Sequence, residues 1–208
     1  MSPNGRFVVF EGPEGAGKST QVKRLAAWLQ AADLKVLTTR EPGGSALADR
    51  VRDILLDPTL TIDAEAEFLL YSAARAQHVK DTIQPALATH DAVLCDRFAA
   101  SSTAYQGYGR GLNLDWVASV NAHTTQGLEP HLTILLDLPP ETGLARVASR
   151  GRVDRLEQAD IAFHRRVREA FVNLARDNQR WVTIDATQSE DGVHQEIQEV
   201  YARAFGAP

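Results

Sequence analysis

The chain has 208 residues, 44% of them hydrophobic and 24% charged, which is an ordinary composition for a soluble globular protein. Its formal net charge of -5 gives no general reason to expect binding to nucleic acid or to a membrane surface. No segment approaches the roughly 18 apolar residues that a membrane span needs. The single cysteine, Cys95, cannot form an internal disulfide, so we expect a reducing, cytoplasmic setting.

Short apolar runs alternate with helical patterns along the chain. Strands are predicted where β-branched or aromatic residues cluster, at 6–10, 35–39, 92–95, 132–136 and 181–184. Helices are predicted where apolar residues recur every three or four positions. They begin at Lys18 and continue with 46–56, 65–89, 101–106, 114–125, 140–149, a helix around 163–174 and a last one that closes the chain. Pro85 is expected to bend or restart the long segment 65–89.

Apolar strands that alternate with helices predict a parallel sheet with helices on both faces. We expect an α/β fold of three layers with five parallel strands, formed by one domain over residues 1–208, because no repeat or linker divides the chain. In such folds, ligands bind beyond the carboxyl ends of the strands. The polar residues at or just after a predicted strand end are Glu11, Arg40, Asp96 and Asp137.

The segment from Gly12 to Ser19 reads GPEGAGKS and fits the phosphate-binding pattern GxxxxGK[ST]. Its glycines let the backbone N–H groups surround a phosphate, and the helix that follows adds its positive end. Lys18 is expected to reach the β- and γ-phosphates, and Ser19 to offer its hydroxyl to Mg²⁺. The residues expected to bind ATP are Gly12, Pro13, Glu14, Gly15, Ala16, Gly17, Lys18, Ser19 and Thr20.

Polar residues after the other strands predict an acceptor site. Asp96 directly follows the third strand and could hold Mg²⁺ through water, and Arg97 beside it could bind an acceptor phosphate bidentately. Tyr71 and Arg75 are four residues apart on a predicted helix and so share a face. Two further groups follow Arg97, namely a helix face with Ser102, Tyr105 and Gln106, and a basic flexible turn over 107–111.

Taken together, these motifs make the chain resemble the bacterial thymidylate kinases, P-loop nucleoside monophosphate kinases that convert dTMP to dTDP with ATP. The matching strings are FEGPEGAGKS at 10–19, TREPGG at 39–44, AAR at 73–75, DRF at 96–98, SSTAYQG at 101–107, GRG at 109–111 and DRLE at 154–157. They occur in family order, and the chain length fits. As a set they are highly specific, although each string apart from the phosphate loop would be weak alone.

The resemblance implies direct in-line transfer from Mg·ATP to the 5′-phosphate of dTMP, in the synthesis of dTTP. Arg97 would bind the dTMP phosphate with Arg52, and Glu14 would lie near the sugar 3′-hydroxyl. Arg75 would hydrogen-bond a thymine carbonyl, and Tyr105 would disfavour a 2′-hydroxyl. The residues implied for dTMP are Glu41, Pro42, Arg52, Tyr71, Arg75, Arg97, Ser102, Tyr105 and Gln106, and those for Mg²⁺ are Ser19 and Asp96.

Two positions depart from the family pattern. Tyr71 stands where the family commonly stacks a phenylalanine on thymine, and its ring can stack equally well, but its hydroxyl needs a partner. In some thymidylate kinases an arginine follows the acidic residue of the phosphate loop, whereas here Gly15 follows Glu14. The resemblance then implies that a basic mobile lid over 149–157 supplies the missing charge through Arg150, Arg152 and Arg155. The implied catalytic residues are these three arginines with Lys18, Glu14 and Arg97.

Other functions share the phosphate loop. A kinase for another small acceptor is the first alternative, although Arg75 with Ser102 and Gln106 favours a pyrimidine. A regulatory nucleotide switch would need a guanine-binding motif, and Asn-Lys-x-Asp does not occur in the chain. An ATP-dependent assembly module would need turnover that depends on oligomerisation. The resemblance further implies a homodimer, with dTMP and ATP as its small-molecule partners and neither nucleic acid nor membrane among them.

Overall fold

The computed structural model describes residues 5–149, 151 and 154–208. Its five strands form one parallel sheet in the order β2-β3-β1-β4-β5. The strands are β1 Arg6–Glu11, β2 Val36–Arg40, β3 Ala92–Asp96, β4 Leu132–Asp137 and β5 Trp181–Asp185. The predicted five-stranded parallel sheet is confirmed. Each strand ends one residue later than its apolar run, because the polar residue at its carboxyl end still pairs with the neighbouring strand.

Helices cover both faces of this sheet. Within the described residues they are α1 Lys18–Gln30, α2 Ala46–Leu56, α3 Ala64–His78, α4 Gln84–Leu87, α5 Ala99–Ser102, α6 Leu114–Thr124, α7 Pro140–Ala148, α8 Ile161–Arg176 and α9 Glu190–Phe205. Side-chain caps begin several of them: Asn113 accepts a hydrogen bond from the amide of Trp116, and Asp160 accepts one from Phe163. No helix in these ranges is both long enough and apolar enough to cross a membrane.

Alternate residues of the central strand β1 serve two separate apolar cores. Val8 and Phe10 face α1 and α9, where Leu25 and Tyr201 belong to the same buried cluster. On the other face, neighbouring residues of β1 pack in a second cluster with Val79, Ile83, Val93, Cys95 and Phe98. This alternation is what a strand with both faces buried requires, and it confirms the three layers. Cys95 is fully buried there, and burial raises the pKa of its thiol.

Two segments of the chain form wider, π-helical turns that the sequence pattern does not predict. The first, Val79–Ile83, follows α3 directly and ends before Pro85, which lies in the first turn of α4. The α-helix thus restarts at Gln84, as the proline predicted, but the change of helical type already begins at Val79. Because Pro85 has no amide hydrogen, it can occupy a first turn without losing a hydrogen bond.

The second π-helical segment, Thr103–Gly109, continues α5 and corrects the prediction of a flexible turn from residue 107. Gly107 and Gly109 are buried in this segment. A Cβ on Gly109 would lie 2.6 Å from the ring of Phe163, and one on Gly107 would lie 2.8 Å from Leu114. These glycines permit close packing against α8 and α6, which explains why the segment is regular.

Candidate active site

The carboxyl edge of the sheet opens on a cavity of about 430 Å³. Its wall combines the loop after β1, the segments after β2 and β3, one face of α3 and the start of the 154–157 segment. The structure brings together most of the site residues predicted from sequence. Those in the wall are Glu14, Gly15, Ala16, Gly17, Lys18, Ser19, Thr20, Glu41, Pro42, Arg52, Tyr71, Arg75, Asp96, Arg97, Ser102, Tyr105 and Gln106.

Other predicted residues lie elsewhere. Gly12 and Pro13 do not line the cavity, but their carbonyl oxygens accept hydrogen bonds from Lys18 Nζ at 2.9 and 2.8 Å. Arg150 and Arg152 lie outside the described residues. Arg155 lies behind the wall, where its Nη1 donates to Glu67 at 2.5 Å and its Nε donates to the carbonyl of Leu55. Its catalytic role stays a prediction that requires this ion pair to open.

The phosphate loop holds its lysine inside the loop. Lys18 is buried, and burial together with the nearby Arg97 lowers the pKa of its ammonium to about 8, although Glu14 acts in the opposite direction. The two carbonyl bonds give this buried ammonium its hydrogen-bond partners inside the loop. Helix α1 begins directly after Gly17, which has a φ of 89°. The first residues of this helix line the cavity, so the unpaired amide N–H groups at its start lie at the cavity wall.

Gly15 is held in backbone contact with α7. Its φ is 70°, and a Cβ on it would lie 2.3 Å from the carbonyl oxygen of Gly143. In return, a Cβ on Gly143 would lie 2.1 Å from the carbonyl oxygen of Glu14. These distances are far below any real contact, so both positions require glycine. The missing arginine after Glu14 therefore has a structural reason, since a side chain at Gly15 would push the loop off α7.

Arg97 connects the phosphate loop to the acceptor side of the cavity. Its Nη2 donates to Glu14 Oε1 at 2.7 Å and to the hydroxyl of Tyr105 at 3.0 Å, and this hydroxyl donates to Glu14 at 2.8 Å. Its Nη1 donates to the carbonyl of Gly12 at 3.1 Å and to Ser101 Oγ at 3.2 Å. Burial alone would raise the pKa of Glu14, but Arg97 and Lys18 outweigh it and lower the pKa to about 2.

The two residues predicted to bind Mg²⁺ are in contact. Ser19 Oγ donates a hydrogen bond to Asp96 Oδ2, at the point where α1 begins and β3 ends. Hard oxygen ligands of this kind suit Mg²⁺, which keeps several waters and takes its remaining ligands from substrate phosphates. Among the described residues, no group of three His, Cys, Asp or Glu side chains could hold a metal by itself. The donor set thus fits a metal that arrives with a nucleotide.

Arg75 is a fully buried residue of the cavity wall. Its Nε donates to Glu41 Oε2 at 2.7 Å, its Nη1 donates to Asn121 at 2.8 Å, and its Nη2 donates to Ser102 Oγ at 2.9 Å. Glu41 in turn hydrogen-bonds His78 Nδ1 at 3.0 Å. This network fixes the plane of the guanidinium, because each bond holds a different nitrogen. Its Nη2 also donates to the carbonyl of Phe98 at 3.4 Å, which leaves one N–H, on Nη1, without a partner among the described residues. Because Arg75 lines the cavity, this N–H is the one available to a ligand.

Arg52 and Tyr71 both line the cavity and interact with each other electrostatically. Arg52 donates to the carbonyl of Pro42 at 2.8 Å, and burial, helped by Arg40, lowers the pKa of its guanidinium. Tyr71 lines the same region, and burial raises the pKa of its hydroxyl, for which the described part of the chain offers no hydrogen-bond partner. The partner that the Tyr71 hydroxyl was expected to need is therefore not found among the described residues.

Several residues of the cavity wall were not among the site residues predicted from the sequence. Asp154, Leu156 and Glu157 line the cavity, and the DRLE string contained the signal for them.

Two strand-end residues singled out from the sequence, Glu11 and Asp137, have structural contacts instead and do not line the cavity. Glu11 accepts hydrogen bonds from Phe98 N and from Ser101, and burial raises its pKa to about 7 despite those bonds. Asp137 pairs bidentately with Arg168 on α8.

A parallel sheet with a phosphate loop after its central strand, opening on a cavity lined by Lys18 and four arginines, is the arrangement of a P-loop kinase. Comparison with known proteins specifies the family. A family model for thymidylate kinase matches residues 10–197, so the chain belongs to the thymidylate kinase family.

The relatives are similar over almost the whole chain. A thymidylate kinase from Deinococcus radiodurans is 55% identical over 194 residues, which cover 93% of this chain and 94% of the relative. One from Thermosynechococcus vestitus is 50% identical, over 95% of this chain and 87% of its own. The crystal structure of thymidylate kinase from Ehrlichia chaffeensis superimposes with a TM-score of 0.77 at 32% identity, covering 95% of this chain and 99% of that one.

The contact at Gly15 predicts a difference between two glycine variants. Gly15 and Gly17 both have positive φ, so Gly15→Ala and Gly17→Ala share a backbone strain of about 1–2 kcal/mol. A Cβ on Gly17 meets nothing within 4 Å, whereas one on Gly15 strikes Gly143. We expect Gly17→Ala to lower the Tm by roughly 2–8 °C and Gly15→Ala by clearly more. Thermal unfolding without nucleotide measures this, and equal losses would contradict the contact.

Proposed function

We propose that this protein phosphorylates dTMP to dTDP with ATP, by direct in-line transfer between phosphate groups at the junction of the loop and the cavity. Membership of the thymidylate kinase family supports this activity. The observation that carries the proposal is that Lys18 of the phosphate loop and the buried Arg75 line one and the same cavity. A donor phosphate and an acceptor base can therefore occupy the cavity together.

The donor end is built to neutralise phosphate charge. Lys18 would exchange the carbonyls of Gly12 and Pro13 for the β- and γ-phosphates, and the amides at the start of α1 add further donors. Ser19 and Asp96 would hold Mg²⁺, which supplies charge neutralisation at the phosphates when it is bound. Since an acceptor phosphate oxygen is already a nucleophile, no strong general base is needed.

The acceptor phosphate would lie between Arg97 and Arg52, which both line the cavity. Arg97 is already oriented by Glu14 and Tyr105, so little conformational freedom is lost when a phosphate binds. Glu14 is the acidic residue of the phosphate loop and would lie near the sugar 3′-hydroxyl. The ring of Tyr105, fixed against Phe163 and Phe171, would occupy the space beside C2′ and so disfavour a ribose.

The base end would bind thymine through Arg75, Ser102 and Gln106, with the ring of Tyr71 stacked on it. All three polar side chains are buried. Desolvated groups of this kind discriminate strongly, because a base without matching groups leaves them unpaired. Glu41 supports this end by holding Arg75, and Pro42 continues the wall towards Arg52.

A coupled ADP-release assay across dTMP, dUMP, dGMP, dCMP and AMP tests the acceptor. We expect the highest kcat/KM with dTMP, about tenfold less with dUMP, which lacks one methyl group, and about 10⁴-fold less with dCMP. The purines are expected to be poor acceptors because a purine is larger than the thymine that this proposal places against Arg75, Ser102 and Gln106. A better rate with any other acceptor would refute the assignment of the base end.

Because Gly15 leaves the phosphate loop without its own arginine, we propose that lid arginines neutralise the moving phosphoryl group. We expect Arg152→Ala to lower kcat about a hundredfold or more while the KM for dTMP changes little. Arg165→Ala is the matched control, because Arg165 is exposed on α8 and pairs only with Glu141 among the described residues. Equal losses in kcat and in dTMP affinity would place Arg152 in ground-state binding instead.

We also propose a homodimer in the cytoplasm. The free, buried Cys95 suits a reducing compartment. Leu47 and Ile54 lie on one face of α2 with half-exposed side chains, and Leu69 is 50% exposed on α3, which packs against α2. A second copy of the chain that covers this apolar surface would remove it from water.

Light scattering during size-exclusion chromatography tests the dimer. We expect the unchanged protein to elute with twice the mass of one chain and Leu69→Glu to shift it towards the monomer, since a charge at that surface would be buried unpaired. Ile161→Glu on α8, which changes an exposed apolar residue away from α2 and α3, should leave the mass unchanged. A monomer before any substitution would refute the proposal.

A further inference from the structure

We propose that Glu67, a residue outside the cavity wall, sets the base preference by fixing the direction in which the Gln106 amide faces. Glu67 does not touch the cavity, whereas Gln106 lines it. This inference rests on the proposed function, because it explains how the base end of that site tells thymine from a cytosine-type base. Glu67 is thus a positioning residue that acts through Gln106.

Glu67 is a fully buried carboxylate with charged partners. Its Oε1 accepts a hydrogen bond from Gln106 Nε2 at 2.8 Å. Its Oε2 accepts from Arg155 Nη1 at 2.5 Å and from Arg110 Nη2 at 3.2 Å. The two guanidinium groups compensate the buried negative charge, which would otherwise be costly so far from water. They also hold the carboxylate in place, so its orientation towards Gln106 is fixed.

A carboxylate can only accept hydrogen bonds, and this determines the orientation of the neighbouring amide. Gln106 must turn its NH₂ group to Glu67, which leaves its carbonyl oxygen as the atom available to the cavity. No other described residue donates to this oxygen. With a neutral partner at position 67, either end of the amide could face the cavity. The charge on Glu67 therefore makes Gln106 a hydrogen-bond acceptor towards a ligand.

The opposite polarity is fixed at Arg75, which can only donate. Glu41 and Asn121 hold its guanidinium at the same end of the cavity. A bound base thus meets one fixed donor and one fixed acceptor. The thymine edge offers a carbonyl acceptor at C4 and a donor at N3–H, which complements this pair. A cytosine-type edge offers an amine donor and an N3 acceptor, so both contacts would bring like groups together.

The test compares dTMP with 5-methyl-dCMP, which has the same methyl group and sugar but the reversed hydrogen-bonding edge. In the unchanged protein we expect kcat/KM for dTMP to exceed that for 5-methyl-dCMP by about 10³-fold or more. Glu67→Gln keeps the shape but allows the Gln106 amide to turn. We expect this variant to reduce the ratio at least about tenfold. Glu65→Gln, an exposed neighbour on the same helix, should keep the ratio unchanged.

Acting through Gln106 has a further signature. In a Gln106→Ala background, Glu67→Gln should change the ratio of the two acceptors no further, because the amide that it orients is gone. A residue that only stabilised the fold would lower the rates with both acceptors alike and leave their ratio intact. If Glu67→Gln does not fold, Glu67→Asp replaces it, since it keeps the charge for Arg110 and Arg155 but shortens the reach to Gln106.

The outcomes distinguish a failure of the proposed acceptor from a failure of the role of Glu67. An unchanged protein that uses 5-methyl-dCMP as well as dTMP would refute the proposed acceptor itself. A strong preference for dTMP that survives unaltered in both Glu67 variants would leave the acceptor standing and overturn the role of Glu67. A ratio that falls in Glu67→Gln equally with and without Gln106 would also overturn it, since the effect would not pass through the amide.

Discussion

The ion pair between Arg97 and Glu14 is the contact on which the rest of the site depends. Arg97 has a φ of 72°, a left-handed conformation that is unfavourable by about 1–3 kcal/mol for a residue with a side chain. Its amide nevertheless donates to Phe10 on β1, and its guanidinium reaches the phosphate loop, Ser101 and Tyr105. One strained residue thereby connects the central strand, the phosphate loop and the helix after β3.

Buried carboxylates organise the base end in the same manner. Glu41 holds Arg75, and Glu67 holds Gln106, although only the second lies outside the cavity wall. Two arginines of the cavity wall, Arg75 and Arg97, are each held by a carboxylate in this way, whereas Lys18 and Arg52 donate to backbone carbonyls. The arrangement restricts rotamers as well as charge, because each bond fixes one side of a side chain whose other side faces the ligand. Under the proposed function, rigidity of this kind would let the site distinguish ligands of equal size by polarity.

The sequence predicted the features that depend on local chemistry. The phosphate loop, the helix over 46–56 and the polar residues at strand ends were visible because glycine spacing and apolar periodicity are properties of neighbouring residues. Glu67 gave no such signal, since its partners Gln106, Arg110 and Arg155 are brought to it only by the packing of α3 against later segments. The π-helical turn from Thr103 to Gly109 likewise depends on the close approach of Phe163 and Leu114.

Arg155 shows the limit of transferring a role by motif. Its place in the DRLE string suggests a group above the phosphates, yet in this arrangement its guanidinium pairs with Glu67 behind the wall. Arginine has the length to serve either position, and sequence spacing does not say which carboxylate competes for it. A catalytic role for Arg155 would thus require an exchange of partners, from a buried carboxylate to a phosphate, with similar charge on both sides.

The backbone contact between Gly15 and Gly143 restricts how this enzyme could change over evolution. An arginine after the loop acid would place a positive charge in the loop, but a Cβ at Gly15 would lie 2.3 Å from the carbonyl oxygen of Gly143, so this substitution alone does not fit. Replacing Gly143 first gives no relief, because a side chain there strikes the carbonyl of Glu14. The two positions are epistatic, so a lineage with this loop must first shift α7. A contact between two glycines 128 positions apart thereby keeps an arginine out of the phosphate loop.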